Sequence, residues 1–572
     1  VLPGHPDLEG VDQYGARLSL SYNATEDLKF LLRFSISKQD PQNYAIIDGS
    51  IAPGGVGGLG YYRTTNGTAT GAPLRNDQVA QDFTPRREQD TKGVALTTNW
   101  QMAPAFLLTS ITSWDEGNLY IPEGTDGAPI DIFKYVEIGK DRQFIEDLRL
   151  TSTGDGPLRY IAGAFYQHDV VFSSVANRFF DSVDVNNDGV LNYQDCLASS
   201  FGPGVGYSVG SIINAGCNYQ NRYDQIRNSW AAYSDVSYQL TEPVKLRLGV
   251  RYNHDNAAQK NAQALLLGSD NVPIGNIIPG SVVAGVWQPV EALPGSPNYN
   301  AIIGSTTTQY AHNSAVTGRV GVDYTPVKNI LLYASYSRGY RPAAFAGQFD
   351  FSASDLSTVP AETLDAVEAG FKTDLLGRQL QLNGAVFHYQ YKHQQLLDVQ
   401  PNGAQPLISL GKSKIDGGEL ELVARPAQSF TIRGNLGLLN ARIEEGYISG
   451  GTLNAAGHTL PNSPRASAML GADWDFLKLD RTRYHLHVDG NYWSKQYFEL
   501  VNEDRIAQSP YGLLNARLSL LAVDDKLEIG AWGRNLTDHF YLTNAIDFQS
   551  LGYDYRHRGI PRMFGIDAAY HF

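Results

Sequence analysis

Apolar and polar residues alternate with a period of two in many segments of this chain. In residues 244–252 the apolar set is Val244, Leu246, Leu248, Val250 and Tyr252, and the polar set includes Lys245, Arg247 and Arg251. The same pattern recurs at 16–22, 430–438 and 483–492. Because successive side chains of a strand point to opposite sides, each segment is predicted to be a β-strand with one apolar and one polar face.

The predicted strands are too long for an ordinary soluble sheet. They run roughly 10 to 16 residues, whereas soluble strands usually have about 5 to 6 and about 9 to 11 tilted residues cross a bilayer. Charged and imidazole side chains in mid-strand suit a water-filled lumen better than a protein core. We therefore expect an all-β fold, a transmembrane antiparallel β-barrel. The residues predicted to face its lumen are Arg247, Arg251, Arg433, His485, His487 and Asp489.

Nineteen strands are predicted, and the connections between them alternate between short and long, as in outer-membrane barrels with short periplasmic turns and long external loops. The segments are 13–24, 27–38, 91–101, 105–117, 140–153, 157–173, 225–240, 243–256, 313–325, 328–340, 361–374, 377–395, 408–425, 428–444, 463–476, 481–498, 510–523, 526–541 and 560–572. A bacterial single-chain barrel has an even number of strands. We therefore expect that an odd number of strands precedes this sequence.

Composition excludes several other classes of protein. A net charge of −14 disfavours broad contact with nucleic acid, so no nucleic-acid partner is expected. A hydrophobic fraction of 42% argues against intrinsic disorder. The sequence has no apolar run long enough for a transmembrane helix.

The predicted external loop 174–224 contains a spacing typical of calcium-binding loops. Gly189 stands at the sharp turn, and Asp195 stands where such loops usually have Glu. The predicted ligands are the side chains of Asp184, Asn186, Asp188, Asn192 and Asp195 and the carbonyl of Val190. We favour calcium as a cofactor over the alternative, an acidic, solvated loop rich in turn-forming residues.

The two cysteines of the chain, Cys196 and Cys217, both fall in this external loop. Two cysteines in one external loop predict a disulfide in an oxidising compartment, with two free thiols as the alternative. Together with calcium, a disulfide would stiffen a loop that is otherwise too long to hold one shape.

Several segments give the chain its resemblance to the TonB-dependent outer-membrane receptors, the family of plugged 22-stranded barrels. These segments are Ala334-Ser-Tyr-Ser-Arg-Gly-Tyr-Arg-Pro342, Glu362-Thr-Leu-Asp-Ala-Val-Glu-Ala-Gly-Phe-Lys372, Gly418-Glu-Leu-Glu421, Leu460-Pro-Asn-Ser-Pro-Arg465 and Gly533-Arg-Asn-Leu-Thr-Asp538. The alternating tail Phe564, Ile566, Tyr570 and Phe572 resembles the signal that barrel-assembly machinery reads, with Tyr570 and Phe572 at its end.

This resemblance implies that residues 1–572 are the C-terminal part of such a barrel, without the plug domain and without three strands. It implies a receptor of the Gram-negative outer membrane that imports a scarce nutrient using TonB energy delivered through the missing plug. A ferric siderophore, a glycan and an aromatic compound all remain open as cargo. Expected partners are outer-membrane lipid, lipopolysaccharide, the TonB complex and a surface lipoprotein or other protein.

Other functions compete with import. A calcium-dependent surface binding or adhesion protein and a passive porin both fit a barrel with a calcium loop. His485, His487 and Asp489 could also meet a metal ion or belong to a barrel hydrolase. However, polar residues are expected on any wet lumen, and no serine nucleophile is visibly placed beside them. We therefore expect no enzyme.

Overall fold

A computed structural model describes residues 8, 10–48, 79, 81, 83–125, 127, 133–179, 218–267, 272–283, 286–291, 295–346, 358–399, 405–548 and 553–571. The strands in these residues are β1 Gln13–Asn23, β2 Leu28–Gln39, β3 Ile46–Asp48, β4 Glu88–Ala103, β5 Phe106–Gly124, β6 Phe133–Ser152, β7 Leu158–Phe179, β8 Asn218–Thr241, β9 Val244–Leu267, β10 Pro273–Val283, β11 Val286–Glu291, β12 Thr307–Val327, β13 Ile330–Arg341, β14 Ala344–Phe345, β15 Thr358–Val359, β16 Glu362–Leu375, β17 Leu380–Leu397, β18 Leu407–Ala427, β19 Phe430–Glu445, β20 Tyr447–Ile448, β21 Leu453–Asn454, β22 Ala466–Leu479, β23 Thr482–Trp493, β24 Tyr511–Ala522, β25 Leu527–Arg534, β26 Leu542–Phe548, β27 Tyr553–Arg558 and β28 Met563–Tyr570. The helical segments are α1 Tyr299–Ile303 and two single 3₁₀ turns, Leu376–Arg378 and Asp504–Ile506.

One antiparallel sheet dominates the described part of the chain. Nineteen long strands follow one another in it in chain order: β1, β2, β4–β9, β12, β13, β16–β19, β22–β25 and β28. The hairpin β10–β11 extends this sheet beside the end of β9. The predicted all-β antiparallel fold and its nineteen strands are confirmed. In the described residues β1 pairs with β2 and β28 pairs with β25, so each is an edge strand with one neighbour.

Short turns and long connections lie at opposite ends of the sheet. Two residues join β4 to β5, β8 to β9, and β12 to β13, whereas the other end carries the connections 40–87, 268–306 and 535–562. A small three-stranded sheet at the long-connection end pairs β27 with β3 on one side and with β26 on the other. A cluster of buried apolar side chains also lies at that end: Leu410, Ala441, Ile443, Ile448, Ala455, Leu460 and Leu500. We call it the loop end, and the opposite end the turn end.

The two faces of the sheet differ in chemistry. On β9, Leu248 is 58% exposed and Val250 is 49% exposed, and both lie on the same face. Large exposed apolar residues of neighbouring strands continue this apolar face, while the alternate positions form the polar face. A face of exposed leucine and valine is stable only when something other than water covers it.

Exposed aromatic residues mark two levels of the apolar face. On β5, Phe106 lies near the turn end and Trp114 lies nearer the loop end. On β8, Tyr238 lies near the turn end and Trp230 lies nearer the loop end. Each pair is separated by eight residues, which is about 27 Å along a strand and about 20 Å along an axis tilted by roughly 40°. Outer-membrane barrels have an apolar band of about 25 Å between aromatic girdles. No helix in the described ranges is long and apolar enough to span a membrane.

Some predicted strand ends were wrong. β8 and β9 run to Asn218–Thr241 and Val244–Leu267 instead of 225–240 and 243–256, because their loop-end extensions are rich in Asn, Gln and Ala and lack apolar alternation. β25 ends at Arg534 instead of 541. There Asn535 adopts a φ of 46°, and its side chain donates to the carbonyls of His539 and Ile560. These contacts turn the chain out of the strand.

The aromatic tail lies on the edge strand β28. Phe564, Ile566 and Tyr570 alternate on the apolar face, and Ile566 is 80% exposed. Phe572 lies outside the described residues. The recognition of this tail by assembly machinery stays a prediction.

Candidate functional site

The polar face carries all six residues that were predicted to line a lumen. On β9, the Arg247 guanidinium lies 2.6 Å from the Asp323 carboxylate of β12. Arg251, two rungs nearer the loop end, stacks over the rings of Phe165 and Tyr233 at 5.1 and 5.4 Å. Because these side chains are held by strands paired residue by residue, their positions are fixed by the sheet.

A second charged group on the polar face spans β19, β22 and β23. Arg433 and His487 both contact Asp473, with His487 Nδ1 at 2.8 Å from its carboxylate. His485 Nδ1 lies 2.8 Å from Asp475. Asp489 accepts hydrogen bonds from Asn491 at 2.6 Å and Asn515 at 2.8 Å and lies 3.2 Å from His487 Nε2.

This group is organised as carboxylate–cation and carboxylate–imidazole pairs. In the described part of the chain, no three His, Cys, Asp or Glu residues are grouped to hold a metal ion. The carboxylates of Asp473 and Asp475 use the histidine rings as hydrogen-bond partners. The arrangement therefore fits an ion-paired, water-exposed wall.

A cavity of about 270 Å³ opens on the polar face beside this group. Its lining includes His487, Asp489, Asn515, Arg517, Trp532, Arg534 and Asp567. Arg517 donates two hydrogen bonds of 2.7 Å to Asp567 on β28 and one of 2.9 Å to Glu528 on β25. This arginine therefore links three strands at the C-terminal edge of the sheet.

A group of residues at the loop end was missed by the sequence analysis. We call Tyr44, Arg87, Arg505, Asp554, Tyr555, Arg556 and His557 the rim cluster. The guanidinium of Arg87 lies 3.7 Å from the centre of the Tyr44 ring, and the His557 ring packs edge-on against the same ring, with ring centres 5.0 Å apart. The Tyr555 hydroxyl donates to Glu123 at 2.8 Å. Segments distant in sequence therefore meet at one end of the sheet.

The rim cluster is anchored by a buried carboxylate. Asp554 is fully buried and pairs with Arg505 and with Arg556, the latter at 3.1 Å. Arg505 also pairs with Asp547 at 3.0 Å. Burial of a carboxylate is tolerated when it is paired and hydrogen-bonded. Arg505, which lies in the 494–510 connection, therefore holds β27 through Asp554, and its carbonyl accepts a 3.4 Å hydrogen bond from Arg556.

Glu499 lies next to the rim cluster in the same connection. It is 6% exposed and accepts a 2.8 Å hydrogen bond from the backbone N–H of Asp547. Burial raises the pKa of Glu499 to about 8, helped by the nearby carboxylates of Asp547 and Asp398 and opposed by that hydrogen bond and Arg505. The loop connections therefore contain a carboxyl group that is largely neutral at pH 7.

One signal in the sequence could have indicated the rim cluster. The run Tyr553-Asp-Tyr-Arg-His-Arg558 places aromatic and cationic residues together in a predicted loop, a composition typical of binding surfaces. The predicted calcium ligands Asp184, Asn186, Asp188, Val190, Asn192 and Asp195 and the cysteines Cys196 and Cys217 lie outside the described residues.

Comparisons with known proteins agree on one class. The chain is 24% identical over 326 residues to the pesticin receptor of Yersinia enterocolitica, covering 55% of this chain and 39% of that protein. It is 26% identical over 166 residues to the "Probable TonB-dependent receptor BfrD" of Bordetella pertussis, covering 28% of this chain and 21% of that protein. The chain therefore spans well under half the length of these curated relatives.

Solved structures share the fold at low identity. The ferric yersiniabactin uptake receptor FyuA from Yersinia pestis superposes with a TM-score of 0.71 at 16% identity, covering 98% of this chain and 71% of that one. The siderophore receptor PiuA from Acinetobacter baumannii gives 0.67 at 16% identity, covering 98% and 74%. A family model described as "TonB dependent receptor-like, beta-barrel" matches residues 42–536. The chain therefore belongs to the TonB-dependent receptor β-barrel family, whose members are outer-membrane proteins of Gram-negative bacteria.

Proposed function

We propose that this chain is the barrel of a receptor that imports a ferric siderophore across the outer membrane. The observation that carries the proposal is the rim cluster, which sets arginine, tyrosine and histidine side chains at the end of the sheet that bears the long connections. Catecholate-type iron chelates combine negative charge with flat aromatic rings. Guanidinium groups and aromatic rings bind such groups through charge, stacking and cation–π contacts.

The polar face concerns the second step of import, the passage of the substrate beyond the rim cluster. A substrate released from the rim would meet a wall of paired charges, including Arg247–Asp323 and Arg433–Asp473. Paired charges lower the net field of the wall while leaving hydrogen-bonding groups exposed to water. We infer that this wall contacts a plug domain and that TonB drives release through that plug. The names of FyuA, a ferric yersiniabactin uptake receptor, and PiuA, a siderophore receptor, support a siderophore before a glycan or an aromatic compound.

We also propose that the 174–224 loop binds calcium and carries the Cys196–Cys217 disulfide. The ends of this segment belong to β7 and β8, and its residues 180–217 connect the two strands at the loop end of the sheet. A stiffened loop there would add to the surface that a siderophore, or a surface lipoprotein, meets first.

Uptake of radioactive iron tests the proposal. A strain lacking the full-length receptor is compared with the wild type for uptake of a panel of ferric siderophores. We expect the loss of uptake of one or a few of them. If uptake of every ferric siderophore is unchanged and growth is lost instead on a glycan or an aromatic compound, the siderophore assignment is wrong.

The rim cluster is tested in the same strain. Tyr44→Ala combined with His557→Ala should weaken binding of the identified siderophore by roughly tenfold, as expected for the loss of two aromatic contacts. The matched control is Tyr324→Ala, which removes an exposed tyrosine from the apolar face near the turn end. Equal affinity in the rim variant and the control would contradict the role of the rim cluster.

A further inference from the structure

Three cations lie together on the apolar face, above the upper row of aromatic side chains. Lys92 of β4 and Arg142 of β6 flank Glu116 of β5 in one row, and Lys140 lies one rung nearer the loop end on β6. We call Lys92, Lys140 and Arg142 the cation patch. All three are exposed.

The aromatic residues on the turn-end side of the cation patch indicate its level relative to the hydrocarbon of the membrane. Trp114 and Phe144 face each other one rung below Glu116 and Arg142, and Phe144 packs on Tyr166 with ring centres 6.3 Å apart. One rung is two residues, or about 7 Å along the strand. Because aromatic girdles lie at the boundary of the hydrocarbon, the cations lie at the level of the lipid headgroups.

The charges in the patch are only partly neutralised. The Lys92 ammonium is 3.2 Å from the Glu116 carboxylate and 6.0 Å from the centre of the Trp114 ring. In the described ranges, neither Lys140 nor Arg142 forms a side-chain ion pair or hydrogen bond. Two exposed cations therefore remain available to an anion, on a chain whose overall charge is −14.

Three other cations on the same face are already paired. Lys412 and Lys414 of β18 contact Glu445 at 2.6 Å and Glu444 at 3.2 Å. Arg338 of β13 donates two hydrogen bonds, of 2.7 and 2.8 Å, to Asp365. The cation patch differs from these sites because its three cations outnumber the two carboxylates on their rungs, Glu116 and Asp90, and Asp90 accepts a 2.8 Å hydrogen bond from Asn118.

We infer that the cation patch binds the phosphate group of an outer-leaflet lipid, with the lipid chains lying along Trp114, Phe144 and Tyr166. Phosphate attracts Lys and Arg at a membrane surface, and aromatic side chains below the charges accommodate the junction between headgroup and chains. The apolar face and the aromatic rows place this anion on a lipid rather than on a solute.

The test uses the full-length receptor in lipid nanodiscs and a fluorescent diphosphorylated lipid A as probe. Lys140→Gln combined with Arg142→Gln should weaken binding of this probe roughly thirtyfold, as expected for the loss of two surface cations. The matched control is Lys412→Gln combined with Lys414→Gln, which removes two paired cations from the same face and should change affinity little.

Two further arms identify the source of the phosphate. Lipid A without its phosphates should bind the wild type as weakly as the diphosphorylated probe binds the double variant, and millimolar inorganic phosphate should not displace the probe. Equal affinity of the wild type and the Lys140/Arg142 variant would overturn the inference. So would displacement by inorganic phosphate, or co-purification of a membrane protein that is lost in this variant while lipid binding is retained.

Discussion

At the scale of single residues, Glu499 shows how the loop connections change ordinary chemistry. Its carboxyl is nearly removed from water and lies close to Asp547 and Asp398, so the neutral form is favoured. A neutral carboxyl can remain buried between two connections that a carboxylate would push apart. The packing of 494–510 against 535–562 therefore depends on a proton.

This proton predicts a pH dependence. Between the ordinary pKa of a glutamate and about 8, the folded protein binds more protons at Glu499 than the unfolded chain does. Stability therefore falls as pH rises through that window and levels off above about 8, with an upper limit of roughly 5 kcal/mol. We expect the 494–510 connection to become more sensitive to limited proteolysis between pH 6 and 9.

The control for this prediction is Glu499→Gln, which keeps the shape and cannot ionise. Proteolysis of 494–510 in this variant should lose most of its pH dependence over the same range. If wild type and variant show the same dependence, another group controls the connection.

Arg517 is the residue on which the last strand of the sheet depends. It bridges Asp567 of β28 and Glu528 of β25. Arg517→Ala would leave two carboxylates facing each other without a cation, at a cost of about 1–3 kcal/mol. The unfolding midpoint in urea, measured in lipid vesicles, should fall accordingly. The midpoint of Arg517→Lys should lie between those of the wild type and Arg517→Ala, because lysine restores the charge but not the two parallel hydrogen bonds.

The matched control for Arg517 is Arg481→Ala. Arg481 forms an exposed ion pair of 3.5 Å with Asp524 in the turn between neighbouring strands, and such pairs contribute about 0–1 kcal/mol. A loss of stability in the control as large as in Arg517→Ala would contradict the role assigned to Arg517.

At the scale of elements, the strands were predictable from the sequence, but the contacts that fix where a strand ends were not. The period-two pattern at 244–252 identifies β9 because each residue sees either lipid or water, and neither depends on distant sequence. The end of β25 was not predictable, since Asn535 forms hydrogen bonds with residues 4 and 25 positions away. The local alternation of apolar and polar residues carries no information about such contacts.

The 174–224 loop is the element in which calcium and a disulfide were predicted. If calcium orders it, chelation should make the loop roughly tenfold more sensitive to protease, and Asp184→Ala with Asp188→Ala should do the same with calcium present. The control is Asp155→Ala, in an exposed short turn at the opposite end of the sheet. Protease sensitivity that is unaffected by chelation would contradict a calcium site in this loop.

At the scale of the whole molecule, the class of fold was predictable and the candidate site only in part. The polar-face residues were predictable because each lies at a fixed position in the alternation. The rim cluster was not, because the hydrogen bond between Glu123 and Tyr555 joins residues 432 positions apart. Which connections meet above a sheet of this size depends on its curvature and strand order, which no single segment encodes.

The assignment of this chain to the outer membrane requires that lipid covers one face of this sheet and water the other. Single spin labels placed in turn at residues 244–252 of the full-length protein in lipid vesicles measure it through collisions with oxygen and with a polar nickel chelate. We predict that oxygen collisions dominate at Leu246, Leu248 and Val250 and that nickel collisions dominate at Lys245, Arg247 and Arg251. Equal nickel accessibility at both sets of positions would show that water reaches both faces, which would contradict a lipid-covered face.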